Sequence, residues 1–317
     1  MKKAAFVAVV GRPSVGKSTL VNKLCGEKVT IVSTVPQTTR NAIRGIVNRE
    51  QGQLVFVDTP GRHKSDKKFN KKLTEVSGRA VTESDIILYI MDASRAPGPE
   101  EADIATFLIP HAGKTVAAIN KTDAEGADPG RALEFLSGNL PGLGKDRCCK
   151  ISALKGDGVE ELLAMLYDIS PEGEPLYSDE YYTDQDVNFR IAEIIREQAI
   201  NRLREELPHA LYVDVVDAQF TDPKTGLQDL HNDALQEENT GVPERPKLWV
   251  RAFIIVERDS QKGMVVGKGG AMIKAIRIAA LKELRSVFEW KIELDLRVKT
   301  GKDWRHKDNI LHKIIRK

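Results

Sequence analysis

The sequence has few cysteines. Three occur in 317 residues: Cys148 and Cys149 are adjacent and Cys25 stands alone. That number and spacing exclude a disulfide framework and a cysteine-based zinc site, and they fit reduced thiols in a cytosolic protein. Six histidines are present, without the His/Cys/Asp spacing of a zinc centre and without a Ser-His-Asp hydrolase signature. His209, in LPHALYV, reads as a capping or packing residue rather than a ligand. No run of 18 uncharged apolar residues occurs, so no transmembrane helix is expected. The opening apolar stretch AAFVAVV is too short for a secretion signal and lacks a small-residue cleavage site, so it reads as a first strand. There are no internal repeats or low-complexity tracts.

The chain does have the 41% hydrophobic and 30% charged residues of a soluble globular protein, in a length that suits one large domain or two ordinary ones. The net charge of +2 hides an asymmetry. Residues 170–245 carry six Lys/Arg against eighteen Asp/Glu, whereas 249–317 carry seventeen against eight. Only the C-terminal end is suited to approach a polyanion.

The first half alternates short apolar runs with longer helix-compatible stretches. The runs are 4–10, 53–58, 86–93, 115–120 and 148–152, and 43–48 pairs with 53–58 as a hairpin across Gln51-Gly52. Continuous apolar runs suit parallel strands covered on both faces, giving an α/β domain over 1–170 that closes on a helix at 157–168. The acidic, Pro- and Gly-bearing stretch 171–186 reads as a linker. Beyond it, over 187–317, the pattern predicts a helix (187–206), a strand (211–217), a long acidic loop (219–246), a strand (247–257), a short helix, the turn GKGG (267–270), a helix (271–287), a strand (291–298) and a basic tail.

Four motifs stand in order at predicted strand ends, the edge where open α/β sheets bind ligands. GRPSVGKST (11–19) matches G-x-x-x-x-G-K-[ST] between a strand and a helix, a pattern that chance supplies in roughly 1% of chains this long. Its residues Gly11, Arg12, Pro13, Ser14, Val15, Gly16, Lys17, Ser18 and Thr19 are expected to bind nucleotide. The loop amides cradle the α- and β-phosphates, Lys17 reaches the β/γ-phosphates, and the Ser18 hydroxyl ligates Mg²⁺. In DTPG, Asp58 would hold Mg²⁺ directly or through water, and the Gly61 amide would sense the γ-phosphate, with Thr59, Pro60 and Arg62 alongside. In NKTD (Asn120, Lys121, Thr122, Asp123), a carboxylate that accepts two N–H bonds fits guanine, whose N1–H and N2–H₂ are adjacent, and disfavours adenine. SAL (Ser152, Ala153, Leu154) offers an amide to the guanine O6. Between the first two motifs, STVPQTTRN (33–41) would order around Mg²⁺ through one threonine, Thr39 rather than Thr38, in the GTP state only. The ligands are thus GTP or GDP with Mg²⁺, and the metal set is Ser18, Thr39 and Asp58.

GRPSVGKST, PQTTR, DTPG, NKTD and SAL, together with REELPHALYVDV (204–215) and GMVVGKGGAMIKAI, resemble the Era GTPases of bacteria over almost the whole chain. The resemblance implies a P-loop GTPase domain joined to a C-terminal α+β type II KH domain. The implied function is to bind and hydrolyse GTP, to bind 16S rRNA and to act in 30S ribosomal subunit assembly and rRNA maturation. It also implies a cytoplasmic protein with a peripheral contact to the membrane. Three positions depart from the family pattern. Ser14 replaces an Asn that related GTPases associate with potassium-assisted hydrolysis, Arg62 follows DTPG, and Ala42 breaks a basic pair. The acidic loop is also longer than the family norm.

Lys17, Thr39 and Gly61 are the expected catalytic residues, acting with Mg²⁺ on a charge that spreads over the phosphoryl oxygens. No Gln follows DTPG to orient the attacking water, so a slow intrinsic rate that a partner accelerates is expected. Arg62 reads either as an internal arginine finger or as a solvated loop residue. In the KH part, Gly267, Lys268, Gly269 and Gly270 form the G-x-x-G loop that clamps a nucleotide backbone, with Lys262 and Lys274 as further phosphate contacts. Ile273, Ile276 and Ile278 recur near helical spacing, as core with one edge facing a base groove. Trp304 either stacks on a base or packs the terminal segment, and 307–316 could form a basic amphipathic helix at a lipid surface. A monomer is expected. The rival readings are a constitutive RNA binder with an inert nucleotide domain, and a GTPase acting on another RNA or on a membrane. NKTD disfavours an ATPase.

Overall fold

The computed structural model describes residues 2–36, 38–61, 68–222, 226–229 and 246–315. They form two compact units, one reaching to Asp184 and including the segment from Arg305 onward, the other spanning Gln185–Trp304.

The first unit is built on strands β1 (Lys3–Val10), β2 (Ile43–Arg49), β3 (Gly52–Asp58), β4 (Ile86–Asp92), β5 (Thr115–Asn120) and β6 (Cys148–Lys150). Their order is β2-β3-β1-β4-β5-β6, antiparallel only between β2 and β3. Every residue of β3, β4 and β5 is buried, which is why those strands read as unbroken apolar runs rather than alternating ones. Helices α1 (Lys17–Cys25), α2 (Lys68–Glu83), α3 (Pro99–Leu108), α4 (Pro129–Asn139) and α5 (Val159–Ile169) belong to the same unit. The apolar residues form two clusters, one around Val9, Leu20, Phe56, Ile90 and Leu162, the other around Val10, Ile87, Tyr89, Ile104 and Leu136. Alternate residues of one strand enter different clusters, as the period of two requires.

The acidic stretch after α5 lies along this sheet. Gln53 receives hydrogen bonds from the Leu176 and Tyr177 amides and donates to the Tyr177 carbonyl, while Ile46 N–H donates to Tyr182 O at 2.9 Å. Arg44 pairs with Asp184 at 2.7 Å, and Thr183 donates to Arg44 O. The segment thus satisfies part of the outer edge of β2.

The second unit contains α6 (Val187–Ile200), α7 (Leu207–Ala210), β7 (Leu211–Asp222), β8 (Gly226–Asp229), β9 (Lys247–Val256), α8 (Asp259–Val266), α9 (Ala271–Val287) and β10 (Lys291–Thr300). The sheet order is β10-β9-β7-β8, with β10 parallel to β9 and the other pairs antiparallel. Leu248, Val250, Ala252, Ile254 and Val256 of β9 form one core with Ile191, Ile195, Ile276, Ala280 and Leu284 of the helices. Leaving aside the short α7 and β8, the order α-β-β-α-α-β with its final parallel strand is the type II KH arrangement.

Two expectations change, and one open alternative is decided. The acidic loop expected over 219–246 is partly strand: β7 runs to Asp222 and pairs with Gly226–Asp229, while 223–225 and 230–245 lie outside the described residues. The second domain, expected to run to 317, gives up its end. Helix α10 (Asp308–Ile314) groups with the first unit, where Leu311 and Ile315 are buried at a groove lined by Phe6, Val57, Val76 and Ala80, and Asp308 pairs with Lys72 at 3.3 Å. Trp304 packs rather than awaiting a base: it is fully buried, its Nε1 donates to Ala210 O at 3.0 Å, and its ring meets Tyr212 edge-on at 5.0 Å.

Candidate nucleotide site and RNA-facing loop

The chain leaves β1 buried and turns through the phosphate loop into α1. Gly16 caps that helix at φ 100°, in the left-handed region, and a Cβ there would lie 2.3 Å from Asn120 Nδ2. Both facts demand glycine. Lys17 is only 6% exposed, and its Nζ donates to the carbonyls of Gly11 (3.0 Å) and Arg12 (2.9 Å). Burial lowers its pKa to about 8, against the raising influence of Asp58. The ammonium is thus held by dipoles in a nearly dry place, which is where a phosphate anion would be most attractive to it.

Four hydroxyl and carboxyl groups from separate segments converge beside it. Ser18 Oγ donates to Asp58 Oδ2 at 2.7 Å, Thr30 Oγ1 donates to the same oxygen at 3.0 Å, and Thr39 Oγ1 lies 3.4 Å from it. Thr39 and Ser18 share a 3.2 Å hydrogen bond. Asp58 is completely buried, and its Oδ1 has no hydrogen-bond partner. Burial raises its pKa, opposed by Lys17 and by the three hydroxyls. An orphaned carboxylate oxygen amid hard oxygen donors fits Mg²⁺, which would satisfy Oδ1 and displace any proton. Ser18, Thr39 and Asp58 are therefore brought together as the sequence predicts. Thr30 is an addition that no motif marks.

The two later motifs close onto the phosphate loop. Asn120 Nδ2 donates to Val15 O at 2.7 Å while its Oδ1 accepts from the Ala153 amide at 2.9 Å, so one side chain ties all three segments. Lys121 Nζ donates to Ser14 O (2.8 Å) and pairs with Asp92 Oδ2 (2.7 Å). Burial pushes the Asp92 carboxyl up, but hydrogen bonds from Lys121 and Ser94 outweigh it and hold the pKa below its ordinary value. A hydrogen bond from Ser152 does the same for Asp123. Thr122 spends its hydroxyl on Ile151 O at 3.0 Å, and Leu154 is 77% exposed.

Pro13, Ser14, Gly16, Lys17, Ser18, Thr19, Thr39, Gly61 and Lys121 line one cavity, together with 31–35, Thr38 and Arg95. Other residues expected to bind nucleotide are used elsewhere. Arg12 turns its guanidinium to Glu101, Nε to Oε1 at 2.6 Å, both largely buried, so only its main chain faces Lys17. Val15 is buried in the core, Thr59 donates to Val9 O at 2.7 Å, and Pro60 O accepts from Ser77 at 2.6 Å. Arg62 lies outside the described residues. Arg95 was not expected at the cavity, because it belongs to no motif.

In the second unit, Gly267 closes α8 at φ 73°, and a Cβ there would lie 2.9 Å from the Met272 amide nitrogen. Lys268–Gly270 make a single tight turn, with Gly270 at φ 79°, and α9 follows at once. Lys262, Lys268 and Lys274 are all exposed around this turn, as are Met264 and Ile278. Of the three isoleucines, Ile276 is core, Ile273 half-buried and Ile278 55% exposed.

Comparison with known proteins agrees with both units. A family profile described as 50S ribosome-binding GTPase matches residues 6–121, and one described as KH domain matches 233–305. The chain is 50% identical to GTPase Era of Treponema denticola, over 98% of this chain and 99% of that one. It is 40% identical to GTPase Era of Borreliella burgdorferi, over 99% of both. Among solved structures, a variant of Aquifex aeolicus Era bound to GDP·AlF4⁻ superposes with a TM-score of 0.85 at 31% identity, over 99% of both chains. An Era complex with MgGDPNP and nucleotides 1506–1542 of 16S ribosomal RNA gives 0.86 at 30% identity, covering 100% of this chain and 99% of that one. With a phosphate loop, an Asn120-linked motif set and a type II KH unit in one chain, matched end to end by these relatives, the chain belongs to the Era family of GTPases.

Proposed function

We propose that this GTPase binds GTP at the cavity around Lys17, hydrolyses it, and uses its KH unit to bind single-stranded 16S ribosomal RNA during 30S subunit maturation. The observation that carries the nucleotide reading is the convergence of Ser18, Thr30 and Thr39 on a buried Asp58 whose second oxygen is unpaired. Ser18, Thr39 and Asp58 would hold Mg²⁺, which supplies charge neutralisation between the phosphates. Lys17 and the loop amides bind phosphate oxygens, Asp123 selects guanine, and the Gly61 amide reports the γ-phosphate. The Era complexes with GDP·AlF4⁻ and with MgGDPNP and 16S rRNA support both ligand classes by family. Exposed lysines around the Gly267–Gly270 turn supply the electrostatics for a nucleotide backbone.

Two features of the first unit support nucleotide control of RNA binding. The segment leading to the second unit is hydrogen-bonded to β2, which follows directly on 33–41. Helix α10, which follows the second unit, is ion-paired to α2, the helix after Gly61. Changes at either loop would be felt by a chain connection. The decisive experiment is calorimetry of GDP against ADP, followed by RNA affinity with GDP and with a non-hydrolysable GTP analogue. No preference for GDP sinks the site, and equal RNA affinities sink the coupling.

The protein acts in the cytoplasm as a monomer, and light scattering checks the mass. A lipid contact by 307–316 would require α10 to leave its groove, since Leu311 and Ile315 are buried. Vesicle flotation with and without the tail tests that step.

A further inference from the structure

We propose that Arg95 acts in cis as a catalytic arginine, laying its guanidinium on the phosphate chain as negative charge redistributes during hydrolysis. The inference rests on the nucleotide site proposed above and adds a residue outside all four motifs.

Arg95 lines the same cavity as Ser14, Lys17, Thr39 and Gly61. Its side chain is exposed and makes no hydrogen bond or ion pair among the described residues. Arg12, the arginine of the phosphate loop itself, is committed to Glu101. Arg95 therefore offers the cavity a cation with a planar fork whose donors are unspent. A guanidinium matches two phosphate oxygens at once, which an ammonium such as Lys17 does not.

The base of Arg95 is fixed while its tip is free. Ser94 donates to Asp92 Oδ1 through both its amide (2.9 Å) and its hydroxyl (2.6 Å). The other Asp92 oxygen holds Lys121, and Ala93 N–H donates to Asn120 O at 2.8 Å. The main chain carrying Arg95 is thus tied to the Asn120–Lys121 strand end, the same strand end that is bonded to the phosphate loop at Val15 and Ser14. Such an anchor lets a long side chain reach a ligand without a partner protein having to supply it. An arginine in this role stabilises transition-state charge and leaves ground-state binding of the diphosphate nearly untouched.

The test uses the full chain with Mg²⁺ and compares Arg95→Ala, Arg95→Lys and the parent. Single-turnover GTP hydrolysis and the Kd for GDP are measured on each, together with the tightening of GDP binding by aluminium fluoride. The expected result for Arg95→Ala is hydrolysis slowed at least fivefold, GDP affinity within threefold of the parent, and most of the aluminium fluoride effect lost. Arg95→Lys should recover less than half of the rate, because it restores the charge and not the fork. A rate change below fivefold overturns the proposal. So does a GDP affinity that falls in proportion to the rate, since that assigns Arg95 to uniform binding. Failure of the parent itself to bind GDP sinks the site reading instead.

Discussion

Lys17 should make nucleotide affinity and apo stability move in opposite directions with pH. Its ammonium is buried and its pKa is lowered from 10.5 to about 8. At 1.36 kcal/mol per unit, roughly 3 kcal/mol of charged-state stabilisation is withheld in the empty site. The folded state therefore binds fewer protons than the unfolded chain between pH 8 and 10.5, and this group's contribution to stability rises with pH across that window. Lys17→Met should make the apo protein more stable at pH 7. Part of the 3 kcal/mol is offset by lost hydrogen bonds to Gly11 O and Arg12 O, leaving a gain of about 1–2 kcal/mol. That gain should shrink as pH approaches 10.5. Binding of a polyphosphate needs the charged form and restores the pKa, so the Kd scales as one plus ten to the power of pH minus 8. GDP affinity should weaken about fourfold between pH 7 and 8.5. Urea unfolding of apo protein and calorimetry of GDP binding, each over a pH series, read the two effects. A flat Kd over that range, joined to a Lys17→Met variant less stable than the parent at pH 7, would refute the assignment of a depressed pKa to burial.

Three further outcomes follow from other parts of the molecule. Trp304→Ala should destabilise the second unit by about 3–5 kcal/mol, because it empties a fully buried site and orphans the Ala210 carbonyl; thermal unfolding followed by near-UV circular dichroism would read it. Ser14 sits at φ 63° and carries no side-chain carbonyl, so hydrolysis should run at the same rate in sodium and potassium chloride, and Ser14→Asn should introduce a potassium advantage measurable by phosphate release. Lys268→Glu should weaken single-stranded RNA binding at least tenfold and flatten its dependence on salt, while GDP affinity stays unchanged; filter binding at 50 and 200 mM salt separates this from a folding defect.

Much of the frame was written locally. The runs at 86–93 and 115–120 are strands because nearly every side chain in them is buried, and composition alone reveals that. Helix α9 spans the predicted 271–287 because Gly270, in the left-handed region, starts it and a periodic apolar stripe sustains it. Ser18, Asp58 and Asn120 could be named from motifs, since nucleotide chemistry imposes both residue type and spacing at successive strand ends. Thr30 and Arg95 belong to no motif, and an isolated threonine or arginine in a loop looks like any solvated residue.

What the sequence determined by itself was the succession of strands and helices, the phosphate loop, the guanine motif and the KH turn, because each depends on residues close together in the chain. Only the tertiary structure decided which long-range partners take up the ambiguous side chains. It turned Arg12 away to Glu101, closed Trp304 onto Ala210 and laid the tail helix in a groove of the first unit. It also left one oxygen of Asp58 and the fork of Arg95 unspent among the described residues. Those outcomes turn on burial and hydrogen-bond satisfaction between residues tens to hundreds of positions apart, a competition that no local pattern encodes.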